Sequence, residues 1–139
     1  MKRIVLVEDD SSVAAYFSYV LEKLGGFSVD RPATGEDTLR LALDPRTMAV
    51  IVDATLRFFP YHGGPIDGVE VARLVKAQSA HLPVVLTSAR VMPGDRDQFL
   101  SSSRADDFLA KPLGNHHELL DAVANLTAAR ASRGSRRGD

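Results

Sequence analysis

Four acids, a hydroxyl pair and a lysine close the apolar runs of this 139-residue chain. Ile4-Val-Leu-Val leads into Glu8, Asp9 and Asp10, and Met48-Ala-Val-Ile-Val ends in Asp53. Leu82-Pro-Val-Val-Leu ends in Thr87-Ser88, and Asp107-Phe-Leu-Ala ends in Lys111-Pro112. Two carboxylates about 5 Å apart repel by roughly 3 kcal/mol at an effective dielectric near ~20. A cluster of Glu8, Asp9 and Asp53 therefore calls for a hard divalent cation. Magnesium takes one or two carboxylates, keeps several waters and leaves positions for phosphate oxygens. No histidine or cysteine accompanies these run ends, which makes zinc a poor match. With magnesium present, Asp53 suits a carboxylate nucleophile for phosphorus. Lys111 can reach one oxygen of the transferred group and the Thr87 hydroxyl another. The product would be a reactive mixed anhydride, which suits a transient switch. Taken singly, an acid at a strand end more often serves a turn or a helix cap, the role expected of Asp10 with Ser11. Four run ends together point to one site.

Such a site needs the four runs to be neighbouring parallel strands, because open α/β sheets bind ligands beyond the carboxyl ends of their strands. The intervening segments have helical period, the signature of βαβ units. Val13, Phe17, Val20 and Leu24, widened by Leu21, form a first stripe that Gly25-Gly26 stops. Residues 27–31 form a short strand. Thr34 caps a second helix that buries Leu39, Ala42 and Leu43 and ends at Asp44-Pro45. An irregular segment follows Asp53 as far as Asp67, and the next helix carries Val71, Ala72 and Val75. The helix expected near 93–103 holds Gly94 and three serines, weak formers that make it the least stable element. Asn115 and Glu118 read as a capping box for a last helix with Leu119, Val123 and Leu126 inward. Five strands and five helices in strict alternation predict an α/β, doubly wound (βα)5 domain.

Composition sets the bounds. A content of 45% hydrophobic and 25% charged residues fits one globular domain, expected over 1–127. Residues 128–139, rich in arginine, serine and glycine, read as a disordered tail. A net charge of -1 gives no general attraction to nucleic acid or membrane, and a nucleic-acid arm is the lesser role for the tail arginines. Absence of cysteine rules out disulfides and thiol chemistry. No run approaches the ~18 apolar residues of a membrane span, and the opening residues do not read as a signal peptide. A cytoplasmic protein is the expectation, with no second folded domain after Leu126.

The ordered set Val7-Glu8-Asp9-Asp10, Val52-Asp53, Leu86-Thr87-Ser88-Ala89 and Phe108-Leu-Ala-Lys111-Pro112 resembles the CheY-like receiver domain of bacterial two-component response regulators, over about residues 2–126. The resemblance implies a flavodoxin-like five-stranded parallel sheet of order 2-1-3-4-5. It implies that Asp53 is phosphorylated by a sensor histidine kinase or a histidine phosphotransfer protein, and that a downstream protein target reads the result. Magnesium, or manganese in its place, would be held by Asp9, Asp53 and the backbone carbonyl of Thr55, with Glu8 acting through water. Thr87 and Lys111 would bind the phosphoryl group, Ser88 would leave room for its entry, and a cis peptide before Pro112 would help aim the lysine. Phe108 would be the rotamer switch for the face of the fourth helix, fifth strand and fifth helix, a role weighed evenly against plain core packing. Thr55 and Ala89 match positions that tune phosphate loss; neither is an acid or amide, so slow self-dephosphorylation is expected. Such a protein is a phosphoacceptor, not an enzyme acting on other substrates.

The chain departs from the pattern after Asp53. Arginine stands at position 57 where proline is usual, and the Asp-Gly pair is delayed to Asp67-Gly68. The extra segment, 56–66, concentrates Phe58, Phe59 and Tyr61. These suit either a lid over their own domain or a contact with a partner or a second copy, and partner contact is the favoured expectation. Other functions fit less well. A degenerate receiver signalling without phosphorylation would not need the full acceptor set. A phosphatase of the haloacid dehalogenase type would need a second acid where Thr55 stands. A nucleotide or flavin binder would want a phosphate loop, not three acids, after the first strand.

Overall fold

The computed structural model describes residues 1–89 and 91–130 in full and 131–138 as helix backbone. Five parallel strands, β1 (Arg3–Val7), β2 (Ser28–Asp30), β3 (Thr47–Asp53), β4 (Val84–Ser88) and β5 (Asp107–Ala110), pair in the order β2-β1-β3-β4-β5. Between and after them come α1 (Ser11–Tyr19), α2 (Gly35–Leu43), α3 (Gly68–Gln78), α4 (Asp95–Ser103) and α5 (His117–Gly138). This is the expected doubly wound α/β sheet, order included.

Side-chain alternation along the strands divides the core in two. Ile4, Leu6, Ala49, Ile51 and Val85 face α1 and α5, where they meet Phe17, Leu21, Leu119 and Val123. Val5, Val7, Val50, Val52, Val84 and Leu86 face the other way, against Ala42 of α2 and Val71, Ala72 and Val75 of α3. Covering both faces is what makes a parallel strand read as an unbroken apolar run. Each fully buried Val, Leu or Ile contributes roughly 1.5–3 kcal/mol, enough to hold the registers firmly. Those registers place Val7 beside Val52 and Asp53 beside Thr87, so the carboxyl ends of β1, β3 and β4 finish together.

Local signals behave as expected at two helix starts. Asp10 Oδ1 accepts from the Ser12 and Val13 amides, and Thr34 Oγ1 accepts from the Asp37 amide. Other expectations are corrected. The box expected at Asn115 is displaced, because Asn115 Oδ1 accepts from the His117 amide and Glu118 Oε1 reaches back to the Gly114 amide. A reciprocal capping box forms instead at Asp67 and Glu70 on α3. Leu24 is exposed, because a π-helical turn, Val20–Leu24, follows α1 and the Gly25 amide bonds to the Val20 carbonyl. That extra residue rotates Leu24 off the stripe. Leu43 is exposed as well, while Thr38 and Ala42 supply the buried side of α2.

α4 is thinly packed: Ser103 is its one fully buried residue, and no side chain caps its N-terminus. α5 passes the expected boundary at 127, and Arg130 donates to the Thr47 carbonyl at 3.4 Å. The rest of the expected tail, 131–139, lies outside the fully described residues. Among the described residues no helix is long and apolar enough to cross a membrane.

Candidate functional site

The acidic corner, Glu8 to Asp10, leaves the sheet directly after β1. Glu8 turns inward and is buried, Asp9 stays exposed, and Asp53 is buried at the last position of β3. Carboxylate oxygens of the three come within 4.8 Å of one another. An all-oxygen, all-carboxylate set at that spacing fits a hard divalent cation.

Lys111 enters from the end of β5, where its amide donates to the Ser88 carbonyl and the peptide to Pro112 is cis, as expected. Its Nζ donates to Glu8 Oε2 at 2.9 Å and lies 3.4 Å from Asp53 Oδ2, so one ammonium spans two buried carboxylates. The two oxygens of Asp53 are thereby distinct. Oδ1 accepts both the amide (3.0 Å) and the hydroxyl (2.8 Å) of Thr55, while Oδ2 faces the lysine. Glu8 Oε1 is taken by the Asp10 amide at 3.1 Å. Burial pushes the Glu8 carboxyl above its usual range and nearby Asp53 adds to the rise, against the lowering effect of Lys111 and the Asp10 amide. Three carboxylates facing one ammonium leave negative charge uncompensated, which a cation would relieve.

Thr87 Oγ1 is buried and, among the described residues, has no hydrogen-bond partner. A buried hydroxyl left unpaired costs about 1–3 kcal/mol, so an acceptor arriving beside Asp53 would recover that loss. A phosphoryl oxygen has the required chemistry. Ser88 is buried next to it at the end of β4. Gly68 opens α3 against the backbone of Asp53: a Cβ there would overlap the Asp53 carbonyl oxygen, which only glycine avoids.

Glu8, Asp9, Asp53, Thr87 and Lys111 therefore converge as the sequence predicts, with Thr55 and Ser88 beside them. Phe108 is buried on β5 and stacks on Phe99 of α4, with centroids 5.6 Å apart and planes 12° from parallel, so the switch position is also a core residue. The favoured role for the loop aromatics needs correction. Phe59 is 8% exposed and joins the core, its amide and carbonyl exchanged with those of Ile66 at 2.9 Å each. Tyr61 sets its ring against Gly35, where a Cβ would overlap it, and the Gly35 amide donates to the Pro60 carbonyl at 2.7 Å. Tyr61 thus covers the start of α2, and Phe59 packs inward beside Ile66. Phe58 alone is presented to solvent, 80% exposed at φ 57°. Two contacts were not foreseen, the Thr55 hydroxyl on Asp53 and a bond from Arg31 Nη2 to the Glu8 carbonyl at 2.8 Å. Nothing in their sequence surroundings signals the second.

Residues 4–124 match the family model for the response regulator receiver domain. The transcriptional regulatory protein PrrA of Mycobacterium bovis is 34% identical over 133 residues, which cover 96% of this chain and 52% of that protein. The alkaline phosphatase synthesis regulator PhoP of Bacillus subtilis is 27% identical over 111 residues, 80% of this chain and 42% of its own. The chain thus spans about half the length of the curated relatives it matches. Among solved structures, the receiver domain of a sensor histidine kinase from Pseudomonas aeruginosa superposes with a TM-score of 0.72 at 27% identity, covering 91% of this chain and 98% of its own. That structure has a magnesium ion coordinated in its active-site cleft. The receiver domain of a LuxO-type repressor from Vibrio parahaemolyticus shares the fold, with a TM-score of 0.78 at 21% identity over 99% of this chain and 98% of its own.

Because Lys111 competes with any cation for Glu8 and Asp53, Lys111→Met should have two opposite effects. The metal-free protein should lose about 3 kcal/mol in denaturant unfolding, since a buried pair is broken. The stabilisation added by magnesium should grow. Affinity for magnesium should also fall on acidification, and begin to fall above the usual carboxylate range, because burial raises the Glu8 carboxyl. Denaturant unfolding of the metal-free proteins checks the first, and titrating the melting temperature with magnesium at several pH values checks the other two.

Proposed function

The chain belongs to the response regulator receiver domain family, and on that premise we propose that Asp53 accepts a phosphoryl group from a histidine kinase or a histidine phosphotransfer protein. The observation that carries this reading is the Asp53 carboxylate set against the buried Lys111 ammonium and in strand register with Thr87, whose buried hydroxyl has no hydrogen-bond partner among the described residues. Phosphoryl transfer needs a nucleophile and fixed donors for the phosphoryl oxygens, and these three side chains supply them.

In the step itself, a carboxylate oxygen of Asp53 forms the new O–P bond while the P–N bond of a phosphohistidine breaks. The imidazole leaves with that electron pair and takes a proton from solvent. Thr55 holds the carboxylate in one orientation through its two bonds to Oδ1. Lys111 follows the negative charge onto the phosphoryl oxygens, and Thr87 donates to another of them. A magnesium ion bound by Asp9, Asp53 and the Thr55 carbonyl, with Glu8 through water, would supply charge neutralisation for the phosphoryl oxygens; manganese would do the same.

Drawing Thr87 towards the phosphoryl group shifts the end of β4, next to Phe108 on β5 and its stacking partner Phe99 on α4. The thin packing of α4 makes the α4–β5–α5 face the natural output surface, read by a downstream protein. The receiver unit, expected over 1–127, carries on through α5 at least to Arg130, and we assign its output to protein contact within a cytoplasmic phosphorelay. Phe58 is the remaining aromatic contact for a phosphodonor protein or a second copy. With neither an acid nor an amide at Thr55 or Ala89 to position an attacking water, the phosphoprotein should persist.

Incubation with acetyl phosphate and magnesium, followed by intact mass, tests the assignment. Wild type should gain one phosphoryl group and Asp53→Asn none; equal gain in both, or none in wild type, would overturn it. Without metal, Asp53→Asn should melt higher than wild type, since one of three crowded carboxylates is neutralised. Phe58→Ala should slow transfer from a histidine kinase several-fold while leaving labelling by acetyl phosphate unchanged. Equal loss with both donors would remove the contact role.

A further inference from the structure

The corner that carries Glu8 and Asp9 has weak support on its outer side. β2 pairs with β1 only at Arg3, Ile4 and Val5, so the sheet offers nothing beside Glu8 on that flank. On its inner side the corner is tied by the Glu8 carboxylate to Lys111 and by the Asp10 carbonyl to the Ala14 amide. Arg31, the first residue after β2, reaches across and donates from Nη2 to the Glu8 carbonyl at 2.8 Å. This is the tie that the β2 flank provides.

The ties made by Lys111 and by Arg31 differ in kind. The Lys111 bond is made to the carboxylate that a cation must share, so it is surrendered when Lys111 turns to a phosphoryl group. The Arg31 bond is made to the backbone, and no step of the proposed chemistry touches it. We infer that Arg31 is a positioning residue for the metal site: it fixes the Glu8–Asp9 corner from outside so that the acids converge with Asp53 whether or not Lys111 holds Glu8. This rests on the magnesium-site reading given above.

Charge and position push in opposite directions here, which makes the idea sharp. As a mere cation near three carboxylates, Arg31 would repel magnesium, and its loss would tighten binding. As an anchor, its loss loosens the ligands. Groups that orient metal ligands from behind typically cost 10–100-fold in affinity when removed.

The test is magnesium binding by calorimetry to wild type, Arg31→Met and Arg31→Lys. Arg31→Met should bind on the order of tenfold more weakly, and Arg31→Lys should recover part of the loss. The metal-free melting temperature should stay near that of wild type, since the side chain lies at the surface. At saturating magnesium, labelling of Asp53 by acetyl phosphate should return to the wild-type extent. Binding by Arg31→Met that equals or exceeds wild type overturns the inference, and so does labelling that stays low at saturating metal. A wild-type chain that binds no magnesium would instead defeat the reading of the site itself.

Discussion

Like charges brought together are the constraint to which the rest of the structure answers. Two of the three carboxylates, Glu8 and Asp53, are buried within reach of each other, an arrangement that no hydrophobic gain at those positions can explain. Lys111 spans both, and the burial cost survives in the raised pKa of Glu8. Strand register, the glycine at the start of α3 and the caps on α1 all act to hold that arrangement in place. Thr87 adds a second unfavourable element, a buried hydroxyl unpaired among the described residues. Crowded acids and an idle donor would both be relieved by the visitors proposed above, a divalent cation and a phosphoryl group. Stored strain of this kind is what a switch needs, because binding then releases energy that can move the structure.

The insertion after Asp53 changes how this receiver domain is built without displacing the acids, the hydroxyl or the lysine. Phe59 and Ile66 close the loop on itself, and Tyr61 and Pro60 tie it to the start of α2. The segment that follows Asp53 is therefore fastened to a helix on one face of the sheet. Phe58 is what that fastening leaves outside. Its left-handed backbone is unusual for a bulky residue and keeps the ring turned away from the core.

Much of this was legible in the chain because buried parallel strands read as apolar runs, and the polar residue ending each run marks the carboxyl edge. Val52-Asp53 and Phe108-Leu-Ala-Lys111 carry the fold and the site in the same few residues. Leu24 was misplaced because a helical stripe presumes a constant turn, and the π-helical turn at Val20–Leu24 breaks it. Phe59 and Tyr61 were placed outward because their partners, Ile66 and Gly35, come from a loop closure and from a distant helix. Arg31 carried no signal for a similar reason: its partner is a backbone carbonyl, which every residue has.

Convergence of the strand ends on one cation is best tested by adding manganese to the isotopically labelled protein and following its amide resonances. A paramagnetic ion in the proposed place should broaden the amides of residues 8–10, 53–55 and 87–88 and that of Lys111 together, before any others. Broadening centred elsewhere, or confined to residues 8–10 while 53–55 stay sharp, would contradict a shared site.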